Sequence, residues 1–298
     1  MRLGDRVFAN LTRGAGLVIL VALAGVAIFL TTEGLPAFSA PADKLGGATS
    51  FLAYVAPLAF GTLLAAALAL LVATPLSIGV ALVISHYAPR LLARPVGYAI
   101  DLLAAIPSVV YGLWGLAFLG VRLAPLYAWL EAHLGWIPFF AGPASSTGRT
   151  ILTASVVLAV MVLPIITAIT REIFVQTPTL DQEAALALGA TRWEMIRMAV
   201  LPYARSGIVS AVMLGLGRAL GETMAVAMVL SASGVVSFNL ISNTNPSTIA
   251  ANIALKFPDS TGLAVNALVA SGLVLFVITF AVNFAARAIV ARSERGLR

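Results

Sequence analysis

Residues 179–202 read TLDQEAALALGATRWEMIRMAVLP, a charged segment that contains a turn and lies between two apolar runs of membrane length. Hydrophobic residues make up 60% of the chain and charged residues only 10%, so a polar stretch this long is expected outside the lipid. Gly189 separates two potential short helices, and Leu201-Pro202 closes the segment. This pattern is typical of a cytoplasmic docking element on a transporter, which indicates that a partner drives the protein from this side.

The rest of the chain is organised into six apolar runs, each long enough to cross a hydrocarbon core of ~30 Å. The predicted spans are residues 14–32, 54–85, 97–121, 151–171, 206–233 and 263–288. We therefore predict an all-α polytopic membrane protein, with Pro107 kinking the third span. The chain has no cysteine, and its histidines, His86 and His133, are expected on opposite sides of the membrane. We accordingly predict no metal site.

The distribution of basic residues predicts the orientation. If both termini face the cytoplasm, the inner segments hold thirteen arginines and the outer segments hold four basic residues. The inner set is Arg2, Arg6, Arg13, Arg90, Arg94, Arg171, Arg192, Arg197, Arg205, Arg287, Arg292, Arg295 and Arg298; the outer set is Lys44, Arg122, Arg149 and Lys256. This positive-inside bias predicts a cytoplasmic N-terminus (1–13), an uncleaved first span (14–32), a membrane domain (54–288) with one long cytoplasmic loop, the coupling loop (172–205), and a cytoplasmic tail (289–298).

Two outer segments carry distinct signals. Residues 124–148 contain five aromatic residues among Gly and Pro, which predicts a short interfacial helix with an aromatic belt. Residues 234–262 are polar and include Asn239, Asn243, Asn245 and Ser247. This loop either contacts an extracytoplasmic partner or only connects two helices.

The coupling loop contains its own helix signals. Thr179 and Gln182 fit an N-cap with Gln at the third helical position, and Thr191 and Glu194 fit a capping box. Gly189 is expected to end the first helix, and Pro202 to limit the second. The remaining predicted contact residues are a small-residue surface and two charged residues at its rim: Ala184, Ala185 and Ala187, with Glu183 and Arg192.

Glu183-Ala184-Ala185, Gly189 and Leu201-Pro202 together resemble the signature of permease subunits of ABC importers. The chain departs from that signature at Ala199, where the family usually has Ile; Ile196 is nearby but out of register. The resemblance implies a type I importer permease fold. It also implies that this loop inserts into a groove of an ATPase subunit and transmits its closure.

The second strong signal is GRALGET at residues 217–223, within the fifth predicted span. Arg218 and Glu222 are four residues apart, so on one helix they would share a face and could pair. An isolated charge at the centre of a span costs at least ~2.5–3.5 kcal/mol, so its presence favours a function. We predict an anion pathway containing Arg218, Glu222, Thr223 and Ser108; the alternative is a structural ion pair that sets helix register.

Residues 106–115 (IPSVVYGLWG) and 217–226 resemble the permeases of phosphate-specific transport systems, and the stretch 183–207 looks most like their PstC-type subunit. The resemblance implies transport roles for Arg218 and Glu222. It also implies a second, PstA-like permease subunit, two PstB-like ATPase subunits, an extracytoplasmic PstS-like phosphate-binding protein, and a bacterial inner-membrane location.

ATP hydrolysis is expected to occur in a partner, since neither lysine of the chain, Lys44 or Lys256, belongs to a phosphate-binding loop. ATP and Mg²⁺ would then be bound by the ATPase, and this chain would be a non-catalytic subunit without a cofactor. Other oxyanions, sulfate or molybdate, remain alternative substrates. A stand-alone secondary anion transporter and an intramembrane enzyme are weaker alternatives, because the spans contain neither several ionisable groups nor a catalytic constellation.

Overall fold

The computed structural model describes residues 3–295; residues 1–2 and 296–298, the ends of the two predicted cytoplasmic termini, lie outside the described part. Almost all of the regular structure is helical, and within 3–295 the only β-type pairing is an isolated bridge between Ala232 and Asn245. The helices are α1 (Leu3–Gly34), α2 (Phe51–Leu82), α3 (Arg90–Ala104), α4 (Ser108–Trp114), α5 (Gly120–Leu134), α6 (Ile151–Val175), α7 (Thr179–Ala187), α8 (Arg192–Met195), α9 (Leu201–Gly221), α10 (Met224–Val229), α11 (Ile249–Lys256) and α12 (Leu263–Arg295).

Three π-helical turns connect these elements into longer units. Val83–Tyr87 extends α2, Gly115–Leu119 joins α4 to α5, and Ile196–Val200 joins α8 to α9. Within the described residues, six helical units are long and apolar enough to cross a membrane. They are Val7–Ser39, Phe51–Tyr87, Ser108–Leu134, Ile151–Val175, Arg192–Gly221 and Leu263–Ala288. The predicted all-α class with six membrane helices is confirmed.

Helix α6 forms the centre of the bundle. Its most apolar stretch is 67% buried, whereas that of the first helix is not buried at all. The principal core contains Val157, Leu158, Val162 and Ile166 of α6, packed against small residues of α2 such as Ala69. Helix α1 lies at the periphery, where Gly34 contacts Ala270 of α12.

The third predicted span, residues 97–121, is broken rather than kinked. Helix α3 ends at Ala104, and α4 begins at Ser108 with Pro107 in extended conformation before it. Proline has no N–H to continue the hydrogen-bond ladder, and it disfavours helical backbone at the preceding residue, Ile106. The break therefore separates two helices that the apolar pattern alone merges.

The prediction of a separate interfacial helix in residues 124–148 was wrong. Residues up to Leu134 belong to α5, which continues the helix begun at Ser108. The remainder is irregular apart from the 3₁₀ turn Pro138–Phe140. The backbone of Gly120 lies against that of Gly148, so α5 starts beside the N-terminal end of α6.

Several polar side chains of residues 234–262 form hydrogen bonds within the protein. Asn245 is fully buried; its Oδ1 accepts a hydrogen bond from the Ile151 N–H at 3.1 Å, and its Nδ2 donates to the Ser242 carbonyl at 2.6 Å. Asn239 donates to the Gly142 carbonyl at 3.0 Å. The loop is therefore held against the N-terminal end of α6, and of the four polar residues singled out in the sequence only Asn243 is exposed.

Candidate functional site

The predicted fifth span, residues 206–233, is also interrupted. Helix α9 ends at Gly221, Glu222 has extended backbone (φ −68°, ψ 126°), and the short helix α10 follows from Met224. Two long helical paths in this protein are therefore discontinuous, one at Pro107 and one at Glu222. In membrane transporters, such breaks are tolerated where the backbone is buried in protein or lines a cavity.

The contacts of α9 place Arg218 near the middle of the membrane bundle. Gly207 lies against Ile173, close to the C-terminal end of α6, and Gly215 lies against Ile166 and Val162. Arg218 is about one helical turn beyond Gly215, a rise of ~5 Å. It therefore lies at the depth of the centre of α6.

The two helix breaks come together at this depth. Helix α4 packs on α10 so closely that a methyl group added at Gly112 would lie 3.0 Å from both the Ala225 Cα and the Met228 Sδ. Tyr111 of α4 is within electrostatic range of the Arg218 guanidinium. The Tyr111 hydroxyl donates to the Leu103 carbonyl at 2.9 Å, which ties the end of α3 to the same place. Tyr111 is therefore a neighbour of the candidate pathway.

Ser108 and Thr223 occupy the two breaks. Ser108 is the first residue of α4, one turn before Tyr111 on the same helix face, and is half-buried. Thr223 directly precedes α10, and its hydroxyl donates to the Gly221 carbonyl at 3.1 Å. Both hydroxyl groups thus belong to the region where α4, α9 and α10 meet.

Glu222 does not pair with Arg218, and the predicted i, i+4 pair was wrong. Because the helix ends at Gly221, the extended backbone at Glu222 carries its side chain away from the face that Arg218 occupies. Its Oε1 instead accepts a hydrogen bond from the Ala225 N–H at 3.2 Å, and the residue is only 8% exposed. The carboxylate therefore holds the start of α10, where an acidic group also complements the helix dipole.

Arg218 is left without a protein counter-charge. It forms no ion pair and no hydrogen bond with any residue in the range 3–295, and its Nε is buried. An ion pair far from this site joins Lys44 to Asp43, at 3.7 Å. An unpaired guanidinium at this depth is costly, so it is suited to binding an anion that compensates its charge.

The helix ends around Arg218 add to the positive potential. Helix α4 begins at Ser108 without a side-chain cap and continues to Leu134, so the partial positive charge of its N-terminus faces the break. At the C-terminal end of α10, Arg149 Nη2 donates to the Leu230 carbonyl at 3.4 Å. Sequence reasoning treated Arg149 only as an outer charge, because its partner is 81 residues away. The chemistry of this arrangement suits the binding of an anion.

The coupling loop forms the predicted helix–turn–helix element. Gly189 has φ +86°, the left-handed conformation that ends α7. The Ala190 N–H donates to the Ala185 carbonyl at 3.2 Å and the Gly189 N–H to the Leu186 carbonyl at 3.0 Å, which together form a Schellman motif. Thr191 and Glu194 form the capping box, with the Glu194 carboxylate 2.7 Å from the Thr191 N–H.

Two details of this element differ from prediction. Thr179 is the first residue of α7 rather than its cap, because Pro178 occupies the cap position; the amide of Gln182 donates to the Thr177 carbonyl instead. Pro202 does not limit the second helix, since Arg192–Gly221 is continuous. Proline is accommodated there directly after the π-helical turn, where the α-helical ladder is already interrupted.

The surface that the element presents is more apolar than predicted. Ala185 is buried in a small core with Phe174 and Ile196, while Ala184, Ala187, Glu183 and Arg192 are exposed. Ile196, not the half-buried Ala199, fills this core. Three large apolar side chains that the sequence analysis missed are exposed around the turn: Leu180 (76%), Leu188 (89%) and Trp193 (54%). Such a cluster is typical of a protein-binding surface.

Comparison with known proteins identifies related chains. Residues 73–298 match the family described as binding-protein-dependent transport system inner membrane component. The phosphate transport system permease protein PstC 2 of Mycobacterium tuberculosis is 44% identical over 307 aligned positions, covering 99% of this chain and 94% of the relative. PstC of Mesorhizobium japonicum is 41% identical, covering 98% and 91%.

A solved bacterial ABC transporter involved in the import of the polysaccharide alginate has the same fold. Its matching chain aligns with a TM-score of 0.59 at 18% identity, covering 95% of this chain and 99% of that one. At this identity the likeness concerns the fold alone. The predicted type I importer permease fold is confirmed.

Proposed function

The chain belongs to the binding-protein-dependent transport system inner membrane components, and we propose that it is the permease subunit of an ATP-driven importer of inorganic phosphate. Its curated relatives over nearly the whole chain are named phosphate transport permeases. It is a multi-pass membrane subunit and not itself an enzyme. It would form half of the translocation pathway, the other half coming from a second, PstA-like permease subunit.

The main observation in support of an anionic substrate is that Arg218 has no partner among the described residues. A guanidinium in mid-membrane, with no carboxylate bound to it among the described residues, fits an anionic solute. The uncapped start of α4 supplies backbone N–H groups next to the same break. Ser108, Thr223 and Tyr111 would offer hydroxyl groups to phosphate oxygens as it passes, and Glu222 would keep α10 in place.

The coupling element would dock on a PstB-like ATPase subunit. Leu180, Leu188 and Trp193 would enter an apolar groove, with Glu183 and Arg192 at the rim. The ATPase pair would bind ATP and Mg²⁺ and supply the driving force. A PstS-like binding protein would deliver phosphate at the outer face.

The membrane and orientation follow from the charge distribution. The excess of arginine on the side of residues 172–205 supports cytoplasmic termini in a bacterial plasma membrane. In this orientation the coupling element faces the ATP-containing compartment, and the pinned loop 234–248 faces the binding protein.

Uptake in cells tests the substrate. Cells that lack this gene would be supplied with the wild-type gene or an empty vector, and uptake of radiolabelled phosphate, sulfate and molybdate would be measured. Restored uptake of phosphate alone is expected. If sulfate or molybdate uptake is restored but phosphate uptake is not, the assignment of phosphate as the substrate is wrong. The proposal that the protein belongs to an ATP-driven importer would still stand. Uptake that persists without the ATPase gene would favour a stand-alone anion transporter.

A further inference from the structure

Arg149 is a second arginine whose charge no carboxylate compensates. It directly precedes Thr150, the N-cap of α6, and its Nη2 lies 3.4 Å from the Leu230 carbonyl oxygen at the C-terminal end of α10. Its Nε is buried without a hydrogen-bond partner, and Arg149 forms no ion pair with any residue between 3 and 295. A distance of 3.4 Å is long for a guanidinium hydrogen bond, so most of the donors of Arg149 are unused.

The position of Arg149 is fixed by the loop that follows α10. The Nδ2 of the buried Asn245 lies 3.4 Å from the Arg149 carbonyl oxygen and 3.5 Å from that of Ser231. The Ser233 N–H donates to the Asn245 carbonyl at 2.9 Å and holds the same stretch. Ser231 directly follows Leu230 and is half-buried, and its hydroxyl forms no hydrogen bond with the described residues. A guanidinium and an unbonded hydroxyl group are thus held in neighbouring positions.

Helix α10 joins this place to the break at Arg218. The helix has six residues, a length of ~9 Å, and Thr223 at the break directly precedes it. Its other end is packed between two long helices, because a methyl group added at Gly115 would lie 2.8 Å from Val229 Cγ2 and 2.6 Å from Val157 Cγ2 of α6. The two uncompensated arginines therefore lie at opposite ends of one short helix.

The unused donors of Arg149 suit an anion that has several oxygens. A guanidinium can donate two parallel hydrogen bonds to such a group, and a hydroxyl beside it adds a third donor. Two sites in series also let an anion enter and leave without being trapped at either one. The alternative role of Arg149 is to complement the partial negative charge at the C-terminal end of α10. That role needs the positive charge near one carbonyl but leaves the other donors without a task.

We propose that Arg149, together with Ser231, forms a second oxyanion site, which the transported anion occupies on its way to Arg218. This inference rests on the proposed function, and in the proposed orientation the site lies on the outer side of the membrane. The group it recognises is a phosphate group. Inorganic phosphate and the headgroup of an acidic phospholipid share this chemistry, so the experiment separates the two sources.

Chemical modification tests binding without changing the chain. The complete transporter, with both permease subunits and the ATPases, is kept in a maltoside detergent, which has no phosphate group. It is treated with phenylglyoxal, which reacts with guanidinium groups, and the modification rate at Arg149 is followed by mass spectrometry. We expect inorganic phosphate to slow this rate several-fold relative to chloride. Arg122, an exposed arginine on the same predicted side, is the matched control and should react equally in both salts.

The outcomes of this assay are distinct. Equal rates at Arg149 in phosphate and chloride would overturn the proposal. Protection by added phosphatidylglycerol but not by inorganic phosphate would assign the site to a lipid headgroup and overturn its place in the pathway. If the transporter carries sulfate and not phosphate, the proposed substrate is wrong, and sulfate should then protect Arg149. Transport of phosphate without any protection would overturn this site and leave the proposed function standing.

Transport rates separate anion binding from a local structural role. The same transporter, with its binding protein, is reconstituted in vesicles, and phosphate transport is measured for wild type, Arg149→Lys, Arg149→Gln and the control Arg122→Gln. Lys and Gln both donate hydrogen bonds, but only Lys keeps the charge. We expect Arg149→Gln to lower the rate about tenfold, the loss of about one charge-assisted hydrogen bond, and Arg149→Lys and Arg122→Gln to retain most of it. Equal rates for the Lys and Gln variants of Arg149 would contradict the proposal.

Discussion

The intramembrane break around Arg218 and the coupling element around Gly189 both interrupt apolar helices with polar residues, but they treat those polar groups in opposite ways. In the coupling element, Gly189, Thr191 and Glu194 are satisfied by hydrogen bonds within a few residues. At the break, Glu222 caps α10, while Arg218 has no partner among the described residues. The polar groups of the coupling element are satisfied by neighbouring residues, whereas the positive charge of Arg218 has no partner among the described residues.

This difference fits the two proposed roles, coupling to a partner and binding of an anion. A segment that transmits force must keep its shape when its partner moves, and local capping provides that rigidity. A site that binds and releases an anion must offer a charge that the protein itself does not neutralise. The predictions below remove the distinguishing feature of one region or the other.

Arg218→Gln should have the largest effect. It removes the only positive charge at the break, and we expect phosphate uptake to fall by about 100-fold, the loss of one or two charge-assisted hydrogen bonds. Uptake is compared in cells with equal membrane content of each variant. Arg205→Gln, at an exposed position near the N-terminal end of the same helix, should retain uptake. Normal uptake by Arg218→Gln would contradict the anion-pathway role.

Gly189→Leu should have the next largest effect. Nothing lies within 4 Å of a Cβ at this position, so the cost is one of backbone conformation, ~1–2 kcal/mol for a residue held in the left-handed region. The Schellman motif should distort, and phosphate transported per ATP should fall about tenfold. Gly189→Asn is the control, because Asn tolerates this conformation. Coupled transport by the Leu variant would refute the docking interpretation.

Glu222→Ala should have a moderate effect. It removes the acceptor for the Ala225 N–H, and the lost cap of ~1 kcal/mol should reduce uptake about fivefold. Glu222→Gln retains an oxygen acceptor and should keep most of the activity. Both variants are measured by phosphate uptake at matched expression. If the Glu222→Gln variant is as inactive as the Glu222→Ala variant, uptake depends on the negative charge of Glu222. Its capping role would then not be enough to explain its effect on uptake.

Thr191→Ala should have the smallest effect. It removes half of the capping box, so amide hydrogen exchange at the start of α8 should accelerate about fivefold, while uptake should change by no more than about twofold. Thr179→Ala is the comparison, because Thr179 caps no helix and its loss should leave exchange unchanged. Equal exchange in the two variants would mean that the capping box does not stiffen the element.

Local sequence patterns predicted much of the secondary structure of this protein. Apolar run length indicated six membrane helices, and the position of Gly189 and the Thr191–Glu194 spacing indicated the coupling turn. These features depend on residues within about one helical turn of each other, for which sequence spacing determines geometry. The roles of Arg218, Glu222 and the coupling surface in transport stay predictions.

Only the tertiary structure decided where helices end and which polar groups meet. Glu222 and Arg218 have the spacing of a helical pair, yet the helix stops at Gly221, where packing of α4 on α10 favours a break. Ala185 turned inward and Leu188 outward, because a core built from α2, α6 and α9 covers one side of α7. The sequence by itself determined the membrane class, the number of membrane helices and the capping box at Thr191, since these reflect hydrophobic length and neighbouring residues. The surroundings of Arg218 are formed by distant segments, whose meeting depends on the packing of the whole bundle.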